Sequence, residues 1–446
     1  MTEQKFYLDD APLNKFHYKI TALTFGAHFT DGYALGIIGI VLTLLAPQMQ
    51  LSPLWVGLLG SSALIGLFFG SLFLGWLSDR IGRQKIFLFN FLLITVASFL
   101  QFFVQNEVEL FILRVLVGFG LGGDYAVGTT LLAEFTPRKY RGPFLGALNV
   151  VWTMGYVAAT LIGYYLHSAG PETWRWMLAS TSVFAVIVLL LRIGTPESPR
   201  WLISMGKVEE ARKIVKKYVG LHAELDETSV ETRASFSALF HKKLRIRTAF
   251  SGLFFVCMVI PYFAIYTFLP SILSQMGFEE NFTTDLLLNG LLIVGSVFGI
   301  WFSVKFSRRG FLISSFAILT ICLLMLSILP SGAKFLLVLF FGVFTLIMSA
   351  VNNLAIVYPP EIFPTEVRTS GVGFATAVSR LGSAAGTFLL PISIIHLGVG
   401  TSMLALTAVL FIGTLVSIAW APETKELSLS EASNSKRKTS EFIFKS

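Results

Sequence analysis

Twelve apolar runs, each at least 20 residues long, follow one another between residues 19 and 421. They cover 19–46, 54–78, 85–104, 108–135, 143–167, 173–194, 248–276, 283–306, 311–330, 333–358, 370–397 and 399–421. About 20 such residues span the ~30 Å hydrocarbon core as an α-helix, so each run reads as one crossing. The longer ones imply tilt or extension beyond the lipid. Only 13% of residues are charged, against roughly 25% in soluble domains. The chain is expected to be an all-α membrane protein with 12 transmembrane helices.

Charge placement orients it. Of 34 Lys and Arg, only Arg175 and Lys334 fall on outer segments if the N-terminus is cytoplasmic, and Arg114 and Arg380 lie within the membrane. Lys and Arg collect on cytoplasmic loops, so both termini are expected inside. The net charge of +8 is thereby a matter of topology, and nucleic acid is not an expected partner. Residues 1–19 are polar, without the apolar core of a cleaved leader.

The two halves repeat. Glu134, Pro137 and Arg141 match Glu361, Pro364 and Arg368 at an offset of 227, and Pro196-Glu197-Ser198 matches Pro422-Glu423-Thr424 at 226. The charged loop Gly75–Lys85 has a worn counterpart around Lys305, Arg308, Arg309 and Gly310. The expected organisation is two pseudo-symmetric six-helix bundles: 1–194, a cytoplasmic linker with short helices over 195–247, 248–421, and a disordered tail over 422–446. Substrate is expected between the bundles near the midplane.

Chemistry concentrates in residues 114–142. Arg114 and Asp124 stand ten residues apart in one apolar run, about 15 Å along a helix. A charge near the bilayer centre costs at least ~2.5–3.5 kcal/mol, so such residues face a protein interior or a wet cavity. Gly118, Gly120, Gly122, Gly123 and Gly128 give this helix a smooth face for a close neighbour.

Asp31, mid-way along the first helix, is expected to pair with Arg114 and to release it on protonation. The alternative is a permanent packing pair. His28, one turn below, either shares that proton or is a hydrogen-bonded filler. Asp124 reads as a second proton site, a contact for a substrate cation, or a cap for exposed backbone. Arg380, the intramembrane cation of the second half, reads as a bidentate clamp for a carboxylate or phosphate, or as a counter-ion for Asp31 or Asp124. Asn149, Asn289, Asn352 and Asn353 either orient a polar ligand or join helices. Tyr33, Tyr125, Trp152, Tyr156, Tyr262 and Tyr266 either line the cavity or pack. Asp79, Arg80, Arg83, Glu134, Arg141, Glu197, Arg200, Glu361 and Arg368 read as a cytoplasmic gate, holding the halves together when the cavity opens outward and parting when it opens inward.

These residues resemble the major facilitator superfamily over the whole chain. The Gly75–Lys85 loop is similar to its signature between helices two and three, and Arg114 with Gly118 and Gly120 to its helix-four arginine motif. Pro196–Leu202 resembles the signature of the sugar-porter branch. Gly122–Tyr125 and Asp31-Gly-Tyr33 look more like the metabolite:proton symporters for aromatic acids, niacin-type vitamins and phosphate. Three departures stand out. Phe254–Tyr266 lacks the glutamines of hexose porters, Asn149 replaces their Gln or Glu, and Ala34 replaces the second helix-one Asp of many proton-coupled relatives.

The resemblance implies a secondary transporter, and the leading expectation is import of a small organic anion with a proton by a functional monomer in the bacterial inner membrane. Asp31, Arg114 and Asp124 would carry the coupling. Arg380, Tyr33, Tyr125, Asn149, Trp152, Tyr262, Asn289 and Asn353 would hold the substrate. An organic cation or drug, a neutral sugar or polyol, and a non-transporting receptor on the same fold are the alternatives. Cys257 and Cys322 both lie in apolar runs and support neither a disulfide framework nor a metal site. No cofactor is expected. The chain has no His-Glu-x-x-His, no Gly-x-Ser-x-Gly and no nucleotide-binding loop, so neither an enzyme nor an ATP-driven pump is expected.

Overall fold

The computed structural model describes residues 6–7, 11–220, 223–224, 236–242, 244–278, 282–330, 332–364 and 367–424. The first half contains α1 (Lys15–Gln48), α2 (Pro53–Ile81), α3 (Arg83–Leu100), α4 (Glu107–Phe135), α5 (Arg138–His167) and α6 (Thr173–Arg192). Short helices α7 (Pro199–Ser204) and α8 (Val208–Tyr218) follow. The second half contains α9 (Arg245–Thr267), α10 (Leu269–Gln275), α11 (Phe282–Lys305), α12 (Arg308–Ile328), α13 (Lys334–Val351), α14 (Leu354–Ile362) and α15 (Arg368–Trp420). Asn14, Ser52, Asn106 and Ser307 start α1, α2, α4 and α12 by accepting first-turn N–H bonds, the ordinary device for satisfying orphan donors.

Among the described residues, 11 helices are long and apolar enough to cross a membrane. α15 accounts for two crossings. Its 53 residues measure ~80 Å, more than twice the hydrocarbon core. Gly398, with φ 82° and ψ 164°, breaks it between the two final apolar runs. That left-handed φ costs glycine nothing and other residues much. The total is twelve crossings, with α9 continuing into α10 and α13 into α14.

Each half is held by close backbone approach. α2 and α4 meet where a Cβ on Gly118 would strike the Ala63 carbonyl and one on Gly70 the Phe119 carbonyl. This is the smooth face expected of helix four. α1 and α5 meet where Gly32 lies on the Trp152 carbonyl and Gly155 on the Phe29 carbonyl. Across the halves, α2 packs on α15 and α5 on α11.

The expected helix in the linker is α8, which begins at Val208. Asn14 Nδ2 donates to the Tyr218 and Val219 carbonyls at 2.8 and 2.9 Å, clasping α8 to the start of α1. Phe6–Tyr7 and Ala223–Glu224 form a two-residue parallel pair beside it. The tail is ordered further than expected: the Tyr358 hydroxyl donates to the Pro422 carbonyl, and Glu423 and Thr424 are also bonded. Residues 425–446 of the expected disordered tail lie outside the described residues.

The two ends of the molecule differ. At the end opposite α7 and α8, a Cβ on Gly39 would meet the Thr267 carbonyl and one on Gly57 the Phe388 carbonyl, so the halves touch backbone to backbone. At the basic end, a Cβ on Gly142, Gly146 or Gly373 would meet nothing within 4 Å. Among the described residues, the halves touch at one end and stand apart at these positions of the other.

Candidate functional site

The midplane between the halves gathers buried polar groups. Asp31 on α1 and Asp124 on α4 are both fully buried. One ligand atom each from His28, Asp31 and Asp124 lies within 4.8 Å of the others. A lone carboxylate in such a setting is costly unless paired. Asp124 is paired: Arg192 Nη2 stands 2.7 Å from its Oδ1, with both side chains 0% exposed. Neither oxygen of Asp31 has a hydrogen-bond partner.

Arg192 corrects the charge count, which had placed it among the basic flanks of the membrane. It is the last residue of α6, yet it turns inward. Its Nη1 donates to the Phe87 carbonyl at 2.8 Å, and its guanidinium lies 3.4 and 4.1 Å from the Phe87 and Phe91 ring centroids. The guanidinium brings to the three-residue cluster the positive charge that a metal ion would otherwise supply there.

The expected Asp31–Arg114 pair does not form. Arg114 Nη1 donates to the Ala34 carbonyl at 3.0 Å, and its Nε and Nη2 have no hydrogen-bond partner. The reason is depth. Asp31 lies beside Asp124, and Arg114 is ten residues away along α4, so one carboxylate cannot serve both levels. His28 Nδ1 is 3.1 Å from the Thr24 carbonyl of its own helix, and its ring packs 5.4 Å from Tyr125.

From the other half, Arg380 on α15 reaches the same region. Its guanidinium lies 5.0 Å from the Tyr125 ring centroid and 5.9 Å from that of Phe263. It is 8% exposed, its Nε has no hydrogen-bond partner, and Asp31 feels its charge. Asn149 Nδ2 donates to Asn353 Oδ1 at 3.3 Å, and Asn352 Nδ2 to Asn149 Oδ1 at 3.0 Å. These amides join α5 to the break between α13 and α14. Trp152 stacks on Tyr156 and meets Tyr262 at 6.2 Å. The Tyr156 hydroxyl donates to the Tyr266 carbonyl at 2.6 Å.

Two expected ligand residues lie elsewhere. The Tyr33 hydroxyl is 2.6 Å from Ser180 Oγ and its ring packs 4.7 Å from Phe184, so it faces α6 within the first half. Two residues along a helix is a rotation of ~200°, so Tyr33 and Asp31 cannot share a face. Asn289 donates to the Asp285 carbonyl at 2.7 Å, one turn along α11.

At the basic end, charges pair within each half and in the same pattern twice. Arg83 pairs with Glu134 and lies 3.7 Å from Asp79. Arg308 pairs with Glu361 at 3.4 Å. The Ser198 hydroxyl donates to Glu134, and that of Thr424 to Glu361 at 2.5 Å. Glu197 accepts the Arg83 and Gln84 N–H groups that open α3, at 3.0 and 3.2 Å. Glu423 accepts those of Arg308 and Arg309 that open α12, at 3.0 and 3.3 Å. Each is an anion on a helix N-terminus, where dipole and free donors favour it. The gate expectation had these ions bridging the halves. With the basic end parted, they close on partners of their own half. Arg80 lies over the Trp76 ring at 4.1 Å, Arg141 donates to the Thr136 carbonyl at 3.1 Å, and Arg200 is exposed. The side chain of Arg368 lies outside the described residues.

Two six-helix halves, a polar and aromatic midplane between them, and one closed end define a secondary transporter of the major facilitator type. The chain belongs to the family whose model is described as "Sugar (and other) transporter", which matches residues 19–435. The Escherichia coli (strain K12) "Inner membrane metabolite transport protein YgcS" is 53% identical over 428 residues, 96% of each chain. The "Niacin transporter NiaP" of Acinetobacter baylyi is 26% identical over 435 residues, covering 92% of this chain and 94% of that one. The xylose transporter XylE from E. coli, in a partially occluded inward open conformation, superposes with a TM-score of 0.78 at 20% identity, over 93% of this chain and 100% of that one. That likeness shows the fold. The protein is a multi-pass membrane transporter, not an enzyme.

Proposed function

We propose that the protein imports a small organic anion, an aromatic or other carboxylate, together with a proton by alternating access. The observation that carries this reading is Arg380, which offers an unpaired Nε beside the Tyr125 and Phe263 rings and within electrostatic range of Asp31. Guanidinium binds carboxylates bidentately, and the rings suit a flat substrate. Asp31 would hold the coupling proton, because it lies beside the Asp124 carboxylate and neither of its oxygens has a hydrogen-bond partner. Arg192 would hold Asp124 as its ion-pair partner. Niacin, named for one relative, is itself an aromatic carboxylate. The parted basic end would be the cytoplasmic one, in keeping with the Lys and Arg count and with the inner membrane named for YgcS. The working unit would be the monomer.

A neutral sugar or polyol is the second reading. The amide chain Asn149–Asn352–Asn353 and the sugars in the family's description favour it.

The test is a thermal melt of purified protein with nicotinate, benzoate, xylose and phosphate. A ligand at a hundredfold excess over Kd stabilises the fold by roughly 2.7 kcal/mol. The expected result is a carboxylate shift that disappears in Arg380→Ala. A shift with xylose alone, unchanged in Arg380→Ala, would overturn the anion reading in favour of the sugar.

A further inference from the structure

A second cavity, of about 560 Å³, lies at the closed end and is lined by both halves. Its walls come from α1, α2 and α5 on one side and from α10, α11 and α15 on the other. Asp285, in the first turn of α11, is the one formal charge among the described residues of this lining. The residue is 5% exposed, and its Oδ1 has no hydrogen-bond partner. Among the described residues, no Lys or Arg lines the cavity. His167 and Tyr164 on α5 are further titratable groups there. Tyr164, Phe268 and Phe278 supply aromatic rings.

From this lining we infer a second ligand site, distinct from the midplane, for a compact organic ammonium ion. A buried carboxylate with one unpartnered oxygen, and with no cation among the described residues of its walls, is open to a cation that arrives from outside. An organic anion would meet like charge and no guanidinium. A divalent metal needs six or more oxygen ligands in the case of calcium, or a near-octahedral set for magnesium, and the described lining offers one carboxylate. A quaternary or primary ammonium needs only one charge and aromatic faces, which attract it through their quadrupoles. The volume falls in the range of small-molecule sites.

Such a ligand would touch both halves while they are closed at this end, so it would favour that state over the one in which they part. Binding here is independent of whether the midplane carries an acid or a sugar.

Choline and its uncharged isostere 3,3-dimethylbutan-1-ol provide the test, added to purified full-length protein at pH 8, where an ordinary histidine is neutral. Choline at saturating concentration is expected to raise the melting temperature by about 2 °C or more, and the isostere to leave it unchanged. Asp285→Asn should abolish the choline shift, while Arg380→Ala should retain it. Thr43→Trp fills the cavity and leaves the carboxylate in place, so it should also abolish the shift should Asp285→Asn fail to fold. The inference is overturned by the absence of any choline shift, by an equal shift with the isostere, or by a choline shift that survives both cavity variants. A shift lost in Arg380→Ala and kept in Asp285→Asn would overturn it as well, by moving the cation to the midplane.

Discussion

Arg192 and Asp124 form a contact ion pair at 2.7 Å with neither side chain exposed. The pair ties the end of α6 to the middle of α4, and the Phe87 carbonyl and ring complete the enclosure of the guanidinium. Removing one partner of such a pair leaves an uncompensated buried charge, which typically costs 3–5 kcal/mol. Arg192→Met is therefore expected to lower stability by about that much. The double variant Arg192→Met with Asp124→Leu should recover most of the loss. Chemical denaturation in detergent checks both, and a single variant as stable as the parent would show the pair to be idle.

Asp124 has Arg192 Nη2 at 2.7 Å, whereas no such ion pair is found for Asp31 among the described residues and neither of its oxygens has a hydrogen-bond partner. If it holds the coupling proton, Asp31→Asn should abolish accumulation driven by an imposed pH gradient while leaving substrate exchange across proteoliposomes intact. Full accumulation by the variant would remove Asp31 from the coupling.

Arg380 separates charge from shape. Arg380→Lys keeps the cation and loses the planar fork, so carboxylate affinity should fall at least ~10-fold, a difference of ~1.4 kcal/mol. Titration calorimetry reads this directly. Equal affinity in Arg380→Lys would mean that the site senses charge alone.

Gly57 lies against the Phe388 carbonyl at the closed end. Gly57→Leu cannot keep that approach, so it should hold the end open and stop turnover without unfolding the protein. Ile394, which lines the cavity at that end and is 5% exposed, provides the reporter. In Ile394→Cys, thiol labelling should speed up when Gly57→Leu is added. Unchanged labelling with unchanged transport would show the contact to be incidental.

Glu197 accepts N–H bonds from Arg83, Gln84 and Ser198, and Glu423 does the same for Arg308, Arg309 and Thr424. Glu197→Gln and Glu423→Gln should therefore each cost a similar amount, about 0.3–2 kcal/mol by the helix-terminus effect. Thermal melts of the two variants should agree. A wide disparity would show that the second copy of the motif has lost its function.

The helical plan was legible because lipid leaves the backbone few choices. Apolar length alone placed the crossings, and the break at Gly398 falls between two of the runs read from residues. The repeat around Glu134 and Glu361 was equally readable, since both copies keep acid, proline and arginine at one spacing. Arg192 was not. It stands near the end of an apolar run and is followed by Gly194 and Pro196, a context that reads as the approach to a solvated linker. Nothing local announces that its side chain returns 68 positions' worth of chain to Asp124. Tyr33 was misplaced for a reason the helix period could have supplied, because two residues turn a side chain to the far face. The Asp31–Arg114 pairing failed on depth: a carboxylate level with Asp124 is too far along α4 from Arg114.

The seam at the closed end includes Gly39 and Gly57 against the carbonyls of Thr267 and Phe388, with the Phe268 ring on Gly60 beside them. Bare backbone has no rotamers to freeze. Sealing this end therefore carries little side-chain entropy loss, where a seal of long residues would lose up to ~2 kcal/mol for each one ordered. The balance between the two states is then left to the charged clusters at the other end, and temperature should shift that balance only weakly through the seam itself.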